Sequence, residues 1–212
     1  MSVSCRISRL WLPGALVAVL LTLTPGAAEA QVQSQGLQGS FRLNLDADLL
    51  RWDNHTETRI RDGLVTEDSS TTFALAQGST YVLFGYMITD AIFLGGRLGI
   101  QSVSYEPGDF STFSWSLAPV FEFLFLDGAA RPFVFASAGI GGESQSITSG
   151  GVTATTSMNT FGFAGGGGLH YFLTDSFSID PRLELGWTFY GDDNNDYTDF
   201  RFAALVGLSG FF

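Results

Sequence analysis

The chain has 212 residues, 45% hydrophobic and 14% aromatic, with 21 acidic residues against ten Arg and a net charge of −11. So acidic a chain lacks the clustered cations that neutralise phosphates, which excludes nucleic acid as a partner. A single cysteine, Cys5, excludes an intrachain disulfide and a cysteine-based metal site.

The first element is an export signal, expected over residues 1–30. Arg6 and Arg9 precede an apolar run from Leu10 to Leu23, Pro25-Gly26 breaks it, and Ala28-Glu29-Ala30 supplies a small-x-small cleavage site. The alternative, a retained anchor, needs roughly 20 apolar residues, and this run is shorter and carries Pro13 and Gly14. Cys5 stands ahead of the run, too early for lipidation. Cleavage after Ala30 leaves eight Arg, no Lys and twenty Asp plus Glu, a net charge of −12. Residues 31–39 read as a polar periplasmic lead.

From Ser40 onward the polarity alternates in eight segments separated by turn signals, an even number as a bacterial barrel requires. The first places Phe41, Leu43, Leu45, Ala47 and Leu49 on one face and Arg42, Asn44, Asp46 and Asp48 on the other. The second covers Ser79 to Ile88, the third Ile92 to Tyr105, and the fourth Phe110 to Phe125, where Phe113, Trp115, Leu117, Phe121, Phe123 and Phe125 share a face. That row is too aromatic for a surface in water. The fifth begins at Pro132, the sixth ends near Leu173, the seventh spans Ser176 to Tyr190, and the eighth runs from about Thr198 to Phe212. Each has room for the roughly 9–11 residues of a lipid-crossing strand.

The connections alternate between tight and long. Thr89-Asp90, Asp127-Gly128 and Thr174-Asp175 mark three short turns, expected on the periplasmic side. Tyr86, Thr89, Asp90, Arg97 and Leu98 recur 85 residues later as Tyr171, Thr174, Asp175, Arg182 and Leu183. On the outer side Asp62-Gly63 reads as a type I′ hairpin tip between Thr-rich polar strands, and Ser149-Gly150-Gly151 suggests a second projecting hairpin. Pro107-Gly108 turns quickly, and Gly191 to Asp199 reads as a short acidic loop.

The strand rhythm, the Tyr86–Asp90 and Tyr171–Asp175 turn motifs, Gly207 five residues from the end and the final Phe212 resemble the small outer-membrane barrels of the OmpX, OmpW and OmpA-domain type. The resemblance covers about residues 40–212. It implies an all-β fold, an eight-stranded antiparallel up-and-down transmembrane β-barrel in the bacterial outer membrane, surrounded by outer-membrane lipids. It also implies that Gly207 and Phe212 belong to an assembly signal read by the barrel-insertion machinery. The alternative is a soluble lipocalin-like barrel whose apolar faces point inward.

On a membrane barrel the alternation sends Arg42, Asp46, Asp48, Arg97, Glu122, Arg182, Glu184 and Arg201 inside, four cations and four anions. Charges in so narrow a lumen must pair. They form either a salt-bridge plug or a charged pathway for a small solute, and the width of eight strands favours the plug.

No catalytic residues, cofactor or metal site are expected. His55 and His170 are the only histidines. Asp53-Asn54-His55 loosely resembles the rim histidine of lipid A acyl-modifying barrels, but reads more simply as a loop histidine beside a loop aspartate. His170 reads as a satisfied lumen histidine near the periplasmic end. Gly165 to Gly168 lacks the Lys of a phosphate loop. Asp192-x-Asn194-x-Asp196 opens like a calcium loop, but Tyr197 and Ala203 occupy the positions needing Gly and Glu. The expected role is therefore non-enzymatic: a structural or surface-interaction barrel whose protruding hairpins offer edges to an extracellular partner. A narrow OmpW-like conduit is the alternative, and a lipid-modifying enzyme the least favoured.

Overall fold

Period-two alternation folds into strands along almost the whole chain from Phe41. A computed structural model describes residues 36–61, 64–75, 80–105, 110–149, 152–191 and 195–212. The expected signal and the hairpin tips at Asp62-Gly63, Pro107-Gly108 and Gly150-Gly151 lie outside these residues, as do Asp192 and Asn194. Among the described residues nine strands follow one another: β1 Phe41–Arg61, β2 Leu64–Leu75, β3 Thr80–Met87, β4 Ile92–Tyr105, β5 Phe110–Leu124, β6 Ala130–Ser149, β7 Val152–Thr174, β8 Phe177–Gly191 and β9 Asn195–Phe211. All pairings are antiparallel, and β9 returns to β1 from Arg42↔Phe211 to Arg59↔Asn195, closing the sheet into a ring. Closure satisfies the backbone groups that hydrocarbon cannot hydrate.

Nine strands occupy eight barrel positions. The lower part of β1 pairs with β3 (Phe41↔Tyr86 to Ala47↔Thr80) and its upper part with β2 (Leu50↔Leu75 to Arg61↔Leu64). Along β1 only Asp48 and Leu49 separate the two sets of pairings. The polar segment 64–75, expected merely to flank a hairpin tip, continues the barrel wall outward.

Alternation sorts side chains as a membrane barrel requires. Phe41, Leu43 and Leu45 are exposed on the outer face, while Arg42, Asn44, Asp46 and Asp48 are buried inside. Along β5, Phe113, Trp115, Leu117, Phe121 and Phe123 all face outward. The ten residue steps from Trp115 to Phe125, at ~3.4 Å each and a ~40° tilt, rise about 26 Å, matching the ~25 Å apolar band of an outer-membrane barrel. Aromatics gather at both ends of this band. An upper cluster joins Trp52, Phe163, Trp187 and Phe200 through ring contacts of 4.8–5.6 Å. Phe41, Tyr86, Phe125, Tyr171 and Phe212 are exposed at the lower end.

The three short turns stand where the sequence places them. Thr89 Oγ1 accepts from the backbone N–H of Ala91 and Ile92, and Thr174 Oγ1 accepts from that of Ser176. The repeated Thr-Asp motif is therefore repeated turn chemistry. Gly128 adopts φ +112°, a backbone region that disfavours side chains. Above the lipid band, β6 and β7 remain paired to Ser149↔Val152, held by cross-strand hydroxyl pairs Ser144–Ser157, Ser146–Thr155 and Thr148–Thr153. On the first hairpin Arg59 donates twice to Glu57, at 2.8 and 2.7 Å, and holds its carboxyl below the usual range. The fourth connection is shorter than the expected acidic loop: β9 already begins at Asn195, and Tyr197 pairs with Tyr190.

One irregularity reorganises the lumen. Asp48 pairs with Leu205 and Leu50 with Ala204, leaving Leu49 as an extra residue in β1. Such a bulge reverses the alternation. Below it the even-numbered residues point inward; above it Arg51, Asp53 and His55 do.

Candidate functional site

The lower lumen is closed by side chains from five strands. Arg42 of β1 donates to Glu122 of β5 (2.7 Å) and to Ser209 of β9 (3.0 Å), with Asp180 of β8 at 3.5 Å. His170 of β7 lies between the two acids, Nδ1 2.7 Å from Asp180 Oδ1 and Nε2 2.7 Å from Glu122 Oε1. Both ring nitrogens face carboxylate oxygens, an arrangement that an imidazolium satisfies with two N–H donors. In that form the cluster has two cations and two anions. Asn44 donates to Asp180 and Ser209, and Ser178 and Ser209 also donate to Asp180. Arg42, His170, Asp180 and Glu122 are each no more than 1% exposed.

Beneath this layer Met87, Phe93, Leu124, Phe172 and Phe211 bury an apolar floor. Leu37 joins it, with Gly39 N–H bonded to Met87 O and Gln38 N–H to Asp90. The end of the expected polar lead thus stoppers this mouth of the barrel.

A second charged layer lies above. Arg182 donates to Asp46 at 2.5 Å, and Asp48 is buried on the same face of β1. Arg97 donates to Glu184 at 2.7 Å, Arg201 donates to the other oxygen of Glu184 and to Tyr81 OH (2.9 Å), and the Arg97 guanidinium stacks 3.8 Å from the Tyr81 ring centre. Arg42, Asp46, Asp48, Arg97, Glu122, Arg182 and Glu184 are buried, and the part-exposed Arg201 reaches Glu184. Arg42–Glu122 lies below, with Arg182–Asp46, Asp48 and Arg97–Glu184–Arg201 above.

The sequence reading left out Asp180, Tyr81 and Arg131. Asp180 shares the parity of Arg182 and Glu184, a usable signal interrupted only by Pro181 on the outer face. Arg131 is buried at the start of β6, bonded to Gly128 O and stacked 5.1 Å from the Phe172 ring centre.

Above the charged layers the lumen opens. A cavity of about 160 Å³ is lined by Tyr81, Arg97, Ser116, Thr160, Thr188 and Arg201 among others, and an adjoining one of about 210 Å³ adds Gln101, Glu143 and Tyr190. Arg51 and Asp53, bonded to each other at 2.6 Å, reach this space because of the Leu49 bulge. The same bulge corrects the reading of His55: it is an inward strand residue, not a loop residue. Its Nδ1 lies 2.6 Å from Asp199, Tyr190 OH donates to Asp199 at 3.1 Å, and its ring stacks on Tyr197.

This architecture, with an apolar outside, a charged inside and closed strand order, accords with sequence comparison. The sequence model of the outer membrane protein beta-barrel domain matches residues 16–207. The chain belongs to that family. It is an outer-membrane β-barrel protein of bacteria. Among solved structures, AlkL in lipid bilayers superposes with a TM-score of 0.51 at 10% identity, covering 89% of this chain and 95% of AlkL. Neisserial surface protein A gives 0.47 at 14% identity (82% and 100% covered), and OprG from Pseudomonas aeruginosa 0.45 at 12% (82% and 97%). At such identities the likeness speaks to fold alone. Among curated proteins none matches in sequence.

Proposed function

We propose that this outer-membrane barrel is a plugged, non-enzymatic scaffold that presents extracellular hairpins to a partner. The observation that carries the reading is the five-strand cluster of Arg42, Glu122, His170, Asp180 and Ser209 over an apolar floor, which spans the bore at the periplasmic end. An ion would have to displace buried, mutually paired charges to pass, at a cost of several kcal/mol.

The hairpins supply the surface. Among the described residues β2 pairs with β1 alone, so its other edge offers unpaired backbone groups, and Val65 to Phe73 are exposed on both faces. An extended segment of a partner can add to such an edge, with main-chain hydrogen bonds giving affinity. Against the OmpW-like conduit stands the closed lower lumen, since the space above it, whose lining mixes Arg51, Asp53, Arg97 and Arg201 with Leu117, Ile140 and Phe163, ends at that plug.

Planar-bilayer recording tests the plug. The parent protein should carry no steady ionic current, and replacing Arg42 together with Leu37 by Gly should open one. A steady current through the parent would reject the scaffold reading in favour of the conduit.

A further inference from the structure

The outer wall of β4 to β7 carries no charge. The charged or titratable residues of these strands outside tyrosine are Arg97, Glu122, Arg131, Glu143 and His170. Four are buried inside, and Glu143 lines the lumen. An anionic lipid headgroup therefore meets no cation on this part of the wall among the described residues.

Hydroxyls take the place of charge above the apolar band. Strand registers set Ser102, Phe113, Ser144 and Ser157 side by side on the outward face, with Ser111, Ser146 and Thr155 in the row above. Ser144 pairs with Ser157 and Ser146 with Thr155, both at 3.0 Å, and Thr148 pairs with Thr153 at 2.9 Å. Within each pair one O–H donates to the other oxygen, so the second O–H stays available as a donor. With the band ending at Trp115, a two-residue step at ~3.4 Å per residue and a ~40° tilt puts the first row about 5 Å higher, within the headgroup layer.

An aromatic platform adjoins this row. A Cβ on Gly142, the β6 partner of Trp115, would stand 2.7 Å from Trp115 Nε1 and 3.2 Å from its Cε2. The indole thus lies along the wall over β6, in room that position 142 leaves by having no side chain. Trp115 is still 40% exposed and Phe113 47%, and Asn159, opposite Gly142 on β7, is exposed beside them. An aromatic face bordered by hydroxyls and an amide matches a sugar ring, which has an apolar C–H face and a rim of hydroxyls.

We propose that this face of the barrel binds the uncharged saccharide headgroup of an outer-leaflet glycolipid, with a pyranose stacked on Trp115 and its hydroxyls bonded to Ser144, Ser157 and Asn159. Position selects a lipid as the source, because the platform sits where hydrocarbon gives way to headgroups. Charge selects a neutral sugar over a phosphate. The proposal does not depend on the scaffold reading: a steady bilayer current would refute the plug and leave this platform untouched.

Native mass spectrometry of the full barrel released from lipid nanodiscs tests it. The probe is digalactosyldiacylglycerol as a minor component of phosphatidylcholine, and phosphatidylglycerol with the same acyl chains is the anionic control. The parent should retain the galactolipid at least about tenfold over the control, the scale of one stacked ring with one or two hydrogen bonds. Trp115→Leu keeps the wall apolar and removes the ring, while Ser144→Ala with Ser157→Ala removes the nearest hydroxyl pair. Each should lower the preference by about threefold or more, with heat-modifiable gel migration retained, whereas Phe123→Leu at the other end of the band should leave it unchanged. Equal retention of both lipids, or preference for phosphatidylglycerol, would overturn the neutral headgroup. An undiminished preference in both folded variants would overturn the platform, and free galactobiose binding as tightly as the lipid would overturn the lipid as its source.

Discussion

Replacing Arg42 with Met removes the guanidinium that touches both acids of the lower cluster, Glu122 at 2.7 Å and Asp180 at 3.5 Å. The methionine keeps the apolar stem against Phe93 and Phe211, whose ring centres lie 5.1 and 5.7 Å from the guanidinium. What remains is two buried carboxylates with only His170 between them. At an effective dielectric of about 20 and a charge separation of about 4 Å, each lost attraction is worth about 4 kcal/mol. Breaking a fully buried pair costs about 3–5 kcal/mol, because the surviving charge stays desolvated. Arg42→Met should therefore lower unfolding stability by about 3–5 kcal/mol. Arg97→Met should cost less, since Glu184 keeps Arg201. Adding Glu122→Gln to Arg42→Met should restore part of the loss, because the double variant no longer strands that charge. Guanidinium titration of vesicle-inserted protein, followed by fluorescence of Trp52, Trp115 and Trp187 near the outer girdle, measures all three by linear extrapolation. An Arg42→Met barrel within about 1 kcal/mol of the parent would refute the reasoning, since that is the value of a hydrated surface pair.

Phe212 is 78% exposed, and its backbone exchanges two hydrogen bonds with Phe41 at 2.9 Å each across the β1–β9 seam. Phe212→Ala keeps both bonds, so stability after refolding should stay within about 0.5 kcal/mol of the parent while membrane yield in cells falls. Equal cellular yield by immunoblot would argue against a part in the assembly signal. Gly207, grouped with Phe212 by resemblance, has a local reason of its own. A Cβ there would stand 2.5 Å from Asn44 Nδ2 and closer still to Asp46 Oδ1, so Gly207→Ala should cost about 1–3 kcal/mol as overpacking, read by the same titration.

Period-two alternation made the barrel legible because lipid and lumen make opposite demands on neighbouring residues of every strand. The same signal groups charged residues by parity, as with Arg42, Asp46 and Asp48 along β1, which are buried together below the bulge. It failed where regularity failed. Leu49 adds one residue to β1, and beyond it parity reverses, so that Arg51, Asp53 and His55 turn inward and Leu50 and Trp52 outward. Nothing local marks that shift, because Leu49-Leu50 reads equally well as two lipid-facing residues or as a slip in the pattern. Only the register against β9, fixed by residues more than 150 positions away, decides it. The partner of His55 was hidden for the same reason: Asp199 looked like the end of an acidic loop until the strand that carries it was paired. A bulge that costs the strand one regular pairing thus supplies the upper lumen with an arginine, an aspartate and a histidine that unbroken alternation would have turned toward the outside.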